Sequence, residues 1–171
     1  MTTSYRSKLN GSIEDINYCM NSLREEPGII SIHYWGIYID PNNFDYYVDK
    51  LKAPVENFSG RLELNLEDLT LITLKSKEKP GEWVKVDLPK LQRLQDIAVY
   101  CYEEFGVIAI NSMKIQINFK HFKKLINTFD IKFDETFEDI YRFYFNHAGI
   151  RFIALACKEE MTGLSFQELV K

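Results

Sequence analysis

Carboxylates stand side by side at Glu25-Glu26, Glu103-Glu104, Asp134-Glu135, Glu138-Asp139 and Glu159-Glu160, the residue type on which general acid–base catalysis draws. Such pairs work when two environments split their proton affinities, and no pair is singled out by its local sequence. The Asp134–Asp139 group has a structural reading as acids in the first turns of a helix, where they complement its dipole. His33, His121 and His147 lie far apart, and none has a second His or Cys at the offset a metal site needs. Cys19, Cys101 and Cys157 are spaced too widely for a zinc knuckle or a disulfide framework, and their apolar neighbours make them small buried hydrophobes.

Other chemistry lacks its parts. The eight glycines are dispersed, so neither a dinucleotide fingerprint nor a phosphate loop is present. A Gly-x-Ser-x-Gly elbow is missing too. Asp68 precedes the apolar run that ends at Lys75, but Thr73 stands where a metal-dependent nuclease requires its second acid. Lys158–Leu169 has the outline of a helix-turn-helix with Gly163 at the turn, yet Glu159 occupies the place of the small residue that motif wants. A glycine stop followed by a Ser165–Glu168 capping box describes it better. No cofactor, metal or catalytic residue is expected.

Three groups are suited to contact rather than catalysis. Lys114, Lys120, His121, Lys123 and Lys124 lie in an acid-free stretch interleaved with Phe119 and Phe122, a candidate anion contact. His33, Tyr34, Trp35 and Tyr38 crowd one β-branched segment and, with Glu63, form a candidate pocket lining. Asp40, Asp45, Tyr46, Tyr47 and Asp49 form a candidate partner surface, since Asp45 and Asp49 share a helix face and acids with tyrosines suit a basic protein partner.

Elements to carry these groups follow from periodicity. Ser12-Ile13-Glu14-Asp15 reads as a capping box that opens a helix from Ile13 to about Arg24, stopped by Pro27-Gly28. Ile29–Ile39 reads as one long central strand, bulged at Gly36. Phe44, Tyr47, Val48 and Leu51 give a short helix, and Arg61–Val86 an antiparallel meander with a turn at Lys77–Gly81. Leu91, Leu94, Ala98, Cys101 and Phe105 make the clearest amphipathic helix, capped by Asp87 and ended by Gly106. Val107–Ile110 and Met113–Phe119 give one or two strands, and Phe122–Phe129 a helix. From Asp134 the chain reads as mainly helical; Ile150–Cys157 is ambiguous between strand and helix, with helix preferred.

The chain has 171 residues with 21 basic and 25 acidic side chains, 46% hydrophobic and 14% aromatic. That supports a core without disulfides and argues against disorder or phosphate-driven nucleic-acid binding. The polar start gives no signal for export and no stretch is apolar enough to span a bilayer, so a cytoplasmic protein without membrane contact is expected. No linker or repeat stands out. Residues 1–171 are read as a single α+β domain, flexible over the first ten or so, with a largely antiparallel sheet of about five or six strands and a central meander packed against several amphipathic helices. The functional expectation is a non-enzymatic protein-binding module, such as an inhibitor or a toxin-neutralising immunity-type protein, whose partner is another protein. The alternatives are a small-ligand binder or enzyme built around residues 29–39, and a nucleic-acid-associated regulator.

Overall fold

The computed structural model describes residues 4–74 and 84–170. Its elements are α1 (Tyr5–Glu25), β1 (Ile29–His33), β2 (Gly36–Ile39), α2 (Pro41–Leu51), β3 (Val55–Phe58), β4 (Arg61–Asn65), β5 (Thr70–Leu74), α3 (Leu88–Phe105), β6 (Val107–Ile110), β7 (Lys114–Ile117), α4 (Phe119–Leu125), β8 (Lys132–Phe137), β9 (Ile140–His147), β10 (Ile150–Cys157), α5 (Lys158–Met161) and α6 (Phe166–Leu169). The ten strands form one open mixed sheet in the order β3-β4-β5-β2-β1-β6-β7-β10-β9-β8. Two contacts are parallel, β2 with β5 and β7 with β10. The α+β class stands, but five or six antiparallel strands is too few and the sheet is mixed.

Several local causes account for the differences. Ile29–Ile39 is a hairpin rather than one strand: His33 pairs with Gly36 around a Tyr34–Trp35 turn, and apolar residues in the turn hide it from the sequence. Gly36 is required by close approach, because a Cβ there would lie 2.8 Å from the Ile72 side chain and 3.0 Å from the Thr70 carbonyl on β5. From Asp134 to Cys157 the chain forms strands rather than helices, with helix only in the short α5 and α6, and Ile150–Cys157 is β10, paired along its whole length with β9. The turn between them, Ala148-Gly149, has both residues at positive φ (50° and 76°), as a two-residue hairpin demands, but alanine gives no turn signal. The first helix starts at Tyr5, capped by Ser4, so residues 5–10 are helical. Ser12 does not cap it; its hydroxyl donates to the Lys8 carbonyl (3.2 Å) inside the helix. The expected turn at Lys77–Gly81 lies outside the described residues, and Val84–Val86 is not strand. At the C-terminus, the Ser165 N–H and hydroxyl both donate to the Glu168 carboxylate (3.1 and 2.9 Å), the short capped helix expected there.

The order of elements is the same twice. Helix, hairpin, helix and three-stranded meander (α1β1β2α2β3β4β5) recur as α3β6β7α4β8β9β10, and in each case the last strand returns parallel to the second. The sequence carries the repeat at a spacing of 78 residues: Glu25, Glu26, Gly28, Ile30, Ile32, Ile37, Ile39 and Phe44 recur as Glu103, Glu104, Gly106, Ile108, Ile110, Ile115, Ile117 and Phe122. Backbone bonds repeat with it. Asp40 N–H donates to the Gly28 carbonyl (2.9 Å), and Asn118 N–H to the Gly106 carbonyl (2.8 Å). Each of these Asx side chains then caps its helix, Asp40 accepting from Asn42 N–H and Asn118 from His121 N–H (both 2.9 Å). The repeat overturns the expectation that none exists.

Strand alternation gives the sheet two faces. On one, Ile32, Ile37, Ile39, Leu64, Leu71, Ile110, Ile115, Ile117, Phe145 and Phe152 form a continuous core with the buried residues of all six helices. Tyr38, Ile72, Ala109, Gln116, Tyr144 and Ile153 point to the other face by register, and none belongs to that core. Among the described residues no helix packs on this second face, and none is long and apolar enough to cross a membrane.

Candidate functional site

The acid and tyrosine group on α2 divides by burial. Asp40 is buried as the helix cap, and Tyr47 is buried in the core, where burial, with Asp87 nearby, pushes its phenol pKa up. Asp45 and Asp49 are exposed, and the half-buried Tyr46 has the ammonium groups of Lys50 and Lys85 over its ring (5.6 and 5.0 Å). Two of the five residues therefore cannot contact a partner. A cap must turn inward to reach the helix backbone, and Tyr47 lies on the same stripe as Phe44.

The aromatic group gathers in part. The His33 ring sits against Trp35 (4.4 Å) and Tyr38 (4.8 Å) on the open face, and its Nε2 bonds the Ser31 hydroxyl (3.0 Å). Burial depresses its pKa to about 4, so the ring is neutral at pH 7. Tyr34 meets Trp35 edge-on (4.9 Å) and stacks on Tyr102 of α3 at 3.7 Å. The same turn is fastened by Gln95, whose amide donates to the His33 and Tyr34 carbonyls (3.0 and 2.8 Å). Glu63 shares the open face, separated from Tyr38 by Ile72 of β5, and pairs with Arg61 (2.7 Å).

The basic group splits between the two sides. Lys120, His121, Lys123 and Lys124 belong to α4, whose Phe119, Phe122 and Leu125 enter the core. Lys114 is opposite Arg151 on the open face. His121 is held by Asn118 and packs over Gly106; burial, then Lys124 and Lys120, lower its pKa. A strand and the helix on its far side do not present the five residues as one continuous surface.

Two clefts lie elsewhere. One, of about 460 Å³, runs along the outer face of α3 and is lined by Asp68, Gln92, Asp96, Val99, Tyr100 and Glu103. Gln92 braces its end by donating to the Asp68 carbonyl (2.8 Å) and the Asp96 carboxylate (3.0 Å). Val99 and Tyr100 are apolar side chains left 37% and 48% exposed beside three carboxylates, and no cation lines the cleft among the described residues. The sequence held a signal for it: Gln92, Asp96, Val99, Tyr100 and Glu103 fall at helical spacing opposite the Leu91–Phe105 stripe. The other cleft, of about 90 Å³, is lined by Lys114, Asp134, Arg142, Arg151 and Ile153. Its members come from four strands, and none of that convergence shows while residues after 134 are read as helix.

Cys19 and Cys101 are buried free thiols where α1 meets α3, and burial pushes the Cys101 pKa up to about 12. Cys157 is half-buried at the start of α5. No set of three His, Cys, Asp or Glu side chains among the described residues is placed to hold a metal ion. Comparison with protein-family models, curated proteins and solved structures returned no match.

Proposed function

We propose that this protein is a non-enzymatic binding module that holds a basic segment of another protein in the acidic cleft of α3. The observation that carries the reading is the pairing of Asp68, Asp96 and Glu103 with the exposed Val99 and Tyr100 in a cleft of about 460 Å³. Apolar contact with Val99 and the Tyr100 ring supplies desolvated area, and the carboxylates select for cationic side chains. The opposite stripe of α3 (Leu91, Leu94, Ala98, Cys101, Phe105) is anchored in the core, so the cleft wall is rigid before a partner arrives. The net charge of −4 steers in the same direction. An inhibitor or immunity-type protein that occupies a basic target is the biological form this takes.

The test uses the full chain as bait in lysate of its native cells, beside the double variant Asp96→Lys/Glu103→Lys, with unchanged thermal unfolding as the control for folding. The expected result is a basic protein retained by the wild type, released by raised salt, and lost from the variant. A wild-type bait that retains nothing, or the same set of proteins on both baits, overturns the reading.

A further inference from the structure

We propose that the smaller cleft, on the open face of the second repeat, is a binding site for a single oxyanion of the phosphate type. Lys114 on β7 and Arg151 on β10 are direct partners across a parallel strand pair, and Arg142 lies on the next strand, β9. All three line the same cleft of about 90 Å³, floored by Ile153, which is only 4% exposed. Lining the cleft with them is the carboxylate of Asp134. It occupies the bulged position of the edge strand β8, between Phe133 and Glu135, and bulges re-aim side chains in this way.

The guanidinium groups are already positioned. The Asp134 Oδ2 accepts from Arg142 Nε (2.9 Å) and Arg151 Nη2 (3.2 Å), so a single oxygen fixes two arginines. The Arg151 Cζ also lies 4.0 Å from the centroid of the Tyr144 ring, a cation–π contact that helps to hold the guanidinium in place. Guanidinium carries five N–H donors in a rigid fork that matches an oxyanion. Among the described residues Arg151 donates only to Asp134, and the exposed Lys114 has no ion-pair partner. Lys114 and Arg151, beside the Arg142 that Asp134 positions, offer N–H donors from two strands to one small volume, where an incoming anion gains charge-assisted bonds.

The repeat shows that the fold does not impose this cluster. By register, the first-repeat counterparts of Lys114, Arg151, Arg142 and Ile153 are Gly36, Thr70, Arg61 and Ile72. There the single cation, Arg61, is matched by Glu63 at 2.7 Å. The same strand arrangement carries glycine and threonine in these places, so the strand pairing alone does not call for the lysine and the second arginine. The size selects the ligand: about 90 Å³ admits the oxyanion group itself, well below the roughly 300 Å³ or more of pockets for drug-sized ligands.

The probe is inorganic phosphate, titrated into the full chain at constant ionic strength while backbone amide resonances are followed, with acetate and phenyl phosphate as parallel arms. The expected result is a saturable shift confined to residues around Lys114, Arg142 and Arg151, about tenfold weaker in Lys114→Gln and in Arg151→Gln, and at least about fivefold weaker for acetate. Phenyl phosphate binding as tightly as free phosphate identifies an esterified phosphate as an acceptable source; free phosphate binding alone identifies the inorganic ion. A shift that fails to saturate, or one unchanged in both variants, overturns the proposal. Lys114 is exposed and has no ion-pair partner among the described residues, so its variant remains informative if Arg151→Gln proves unstable.

Discussion

Ile32 of β1 faces Ile110 of β6 across the central strand pair, and each is the other's counterpart in the 78-residue repeat. The relation that exchanges the two halves therefore passes through this pair. Next to it, His33 pairs with Ala109, and Ala109 is the counterpart of Ser31. Both isoleucines are fully buried (0% exposed) in the one core that the two halves share. Each Ile→Ala variant is expected to lose about 2–5 kcal/mol in denaturant unfolding. Their contact makes the double variant non-additive by more than about 0.5 kcal/mol, so strictly additive losses would show that the central pair does not couple the halves.

Ala148 sits at φ 50° in the β9–β10 turn, a conformation that disfavours a Cβ by about 1–2 kcal/mol. It is exposed, and the register Ile150↔His147 already closes a two-residue turn. Ala148→Gly is expected to raise unfolding free energy by up to about 1 kcal/mol, after the added entropy of the unfolded chain is allowed for. A melting temperature equal to or below that of the wild type would contradict this.

That turn also shows why part of the fold was hidden in the sequence. Helices α3 and α6 were legible because stripe and stop agree: Leu91–Phe105 ends at Gly106, which adopts φ 68°, and Ser165 meets Glu168. Two hairpin turns open on a residue outside the usual turn set, Tyr34 before Trp35 and Ala148 before Gly149, so that at the second a lone glycine is the whole signal. A long apolar run with no turn residue looks the same as a strand, a buried helix or a hairpin. The repeat was legible in Glu-Glu-x-Gly followed by isoleucines at matched offsets, yet aligning it requires comparing the chain with itself rather than reading it forward. Of the candidate contact residues, spacing alone placed Asp45 and Asp49 on an exposed face. The convergence of Lys114, Arg142, Arg151 and Asp134 depends on strand register, which local pattern does not encode.

His33 gives the protein an acid sensitivity whose sign follows from its environment. Burial lowers its pKa from about 6.5 to about 4, so between these values the unfolded chain binds more protons there than the folded one. Its contribution to stability is full above pH 6.5 and is lost as pH falls through 4. Partial exposure limits the loss to on the order of 2 kcal/mol. His33→Phe keeps a ring between Trp35 and Tyr38 but cannot titrate. Unfolding free energies measured at pH 7 and pH 4 are expected to differ less in this variant than in the wild type; an equal difference would assign the acid sensitivity elsewhere.

Gly28 and Gly106 are counterparts that need glycine for partly different reasons, and this separates two costs. A Cβ on Gly28 would meet the side chain of Asn43, which is fully buried and accepts from the Val84 N–H (3.2 Å). A Cβ on Gly106 would meet the His121 ring, and Gly106 also holds φ 68° to end α3. Overpacking costs about 1–3 kcal/mol at either site, whereas the left-handed backbone adds about 1–2 kcal/mol at Gly106 alone. Removing the obstructing side chain should therefore rescue the two alanine variants unequally. In a double-mutant cycle, Asn43→Ala is expected to cancel most of the loss from Gly28→Ala beyond its own cost. His121→Ala is expected to cancel only the steric part at Gly106, leaving about 1–2 kcal/mol uncompensated. Complete rescue at Gly106 would mean that the αL conformation carries no penalty there and that packing against His121 is the whole reason for the glycine.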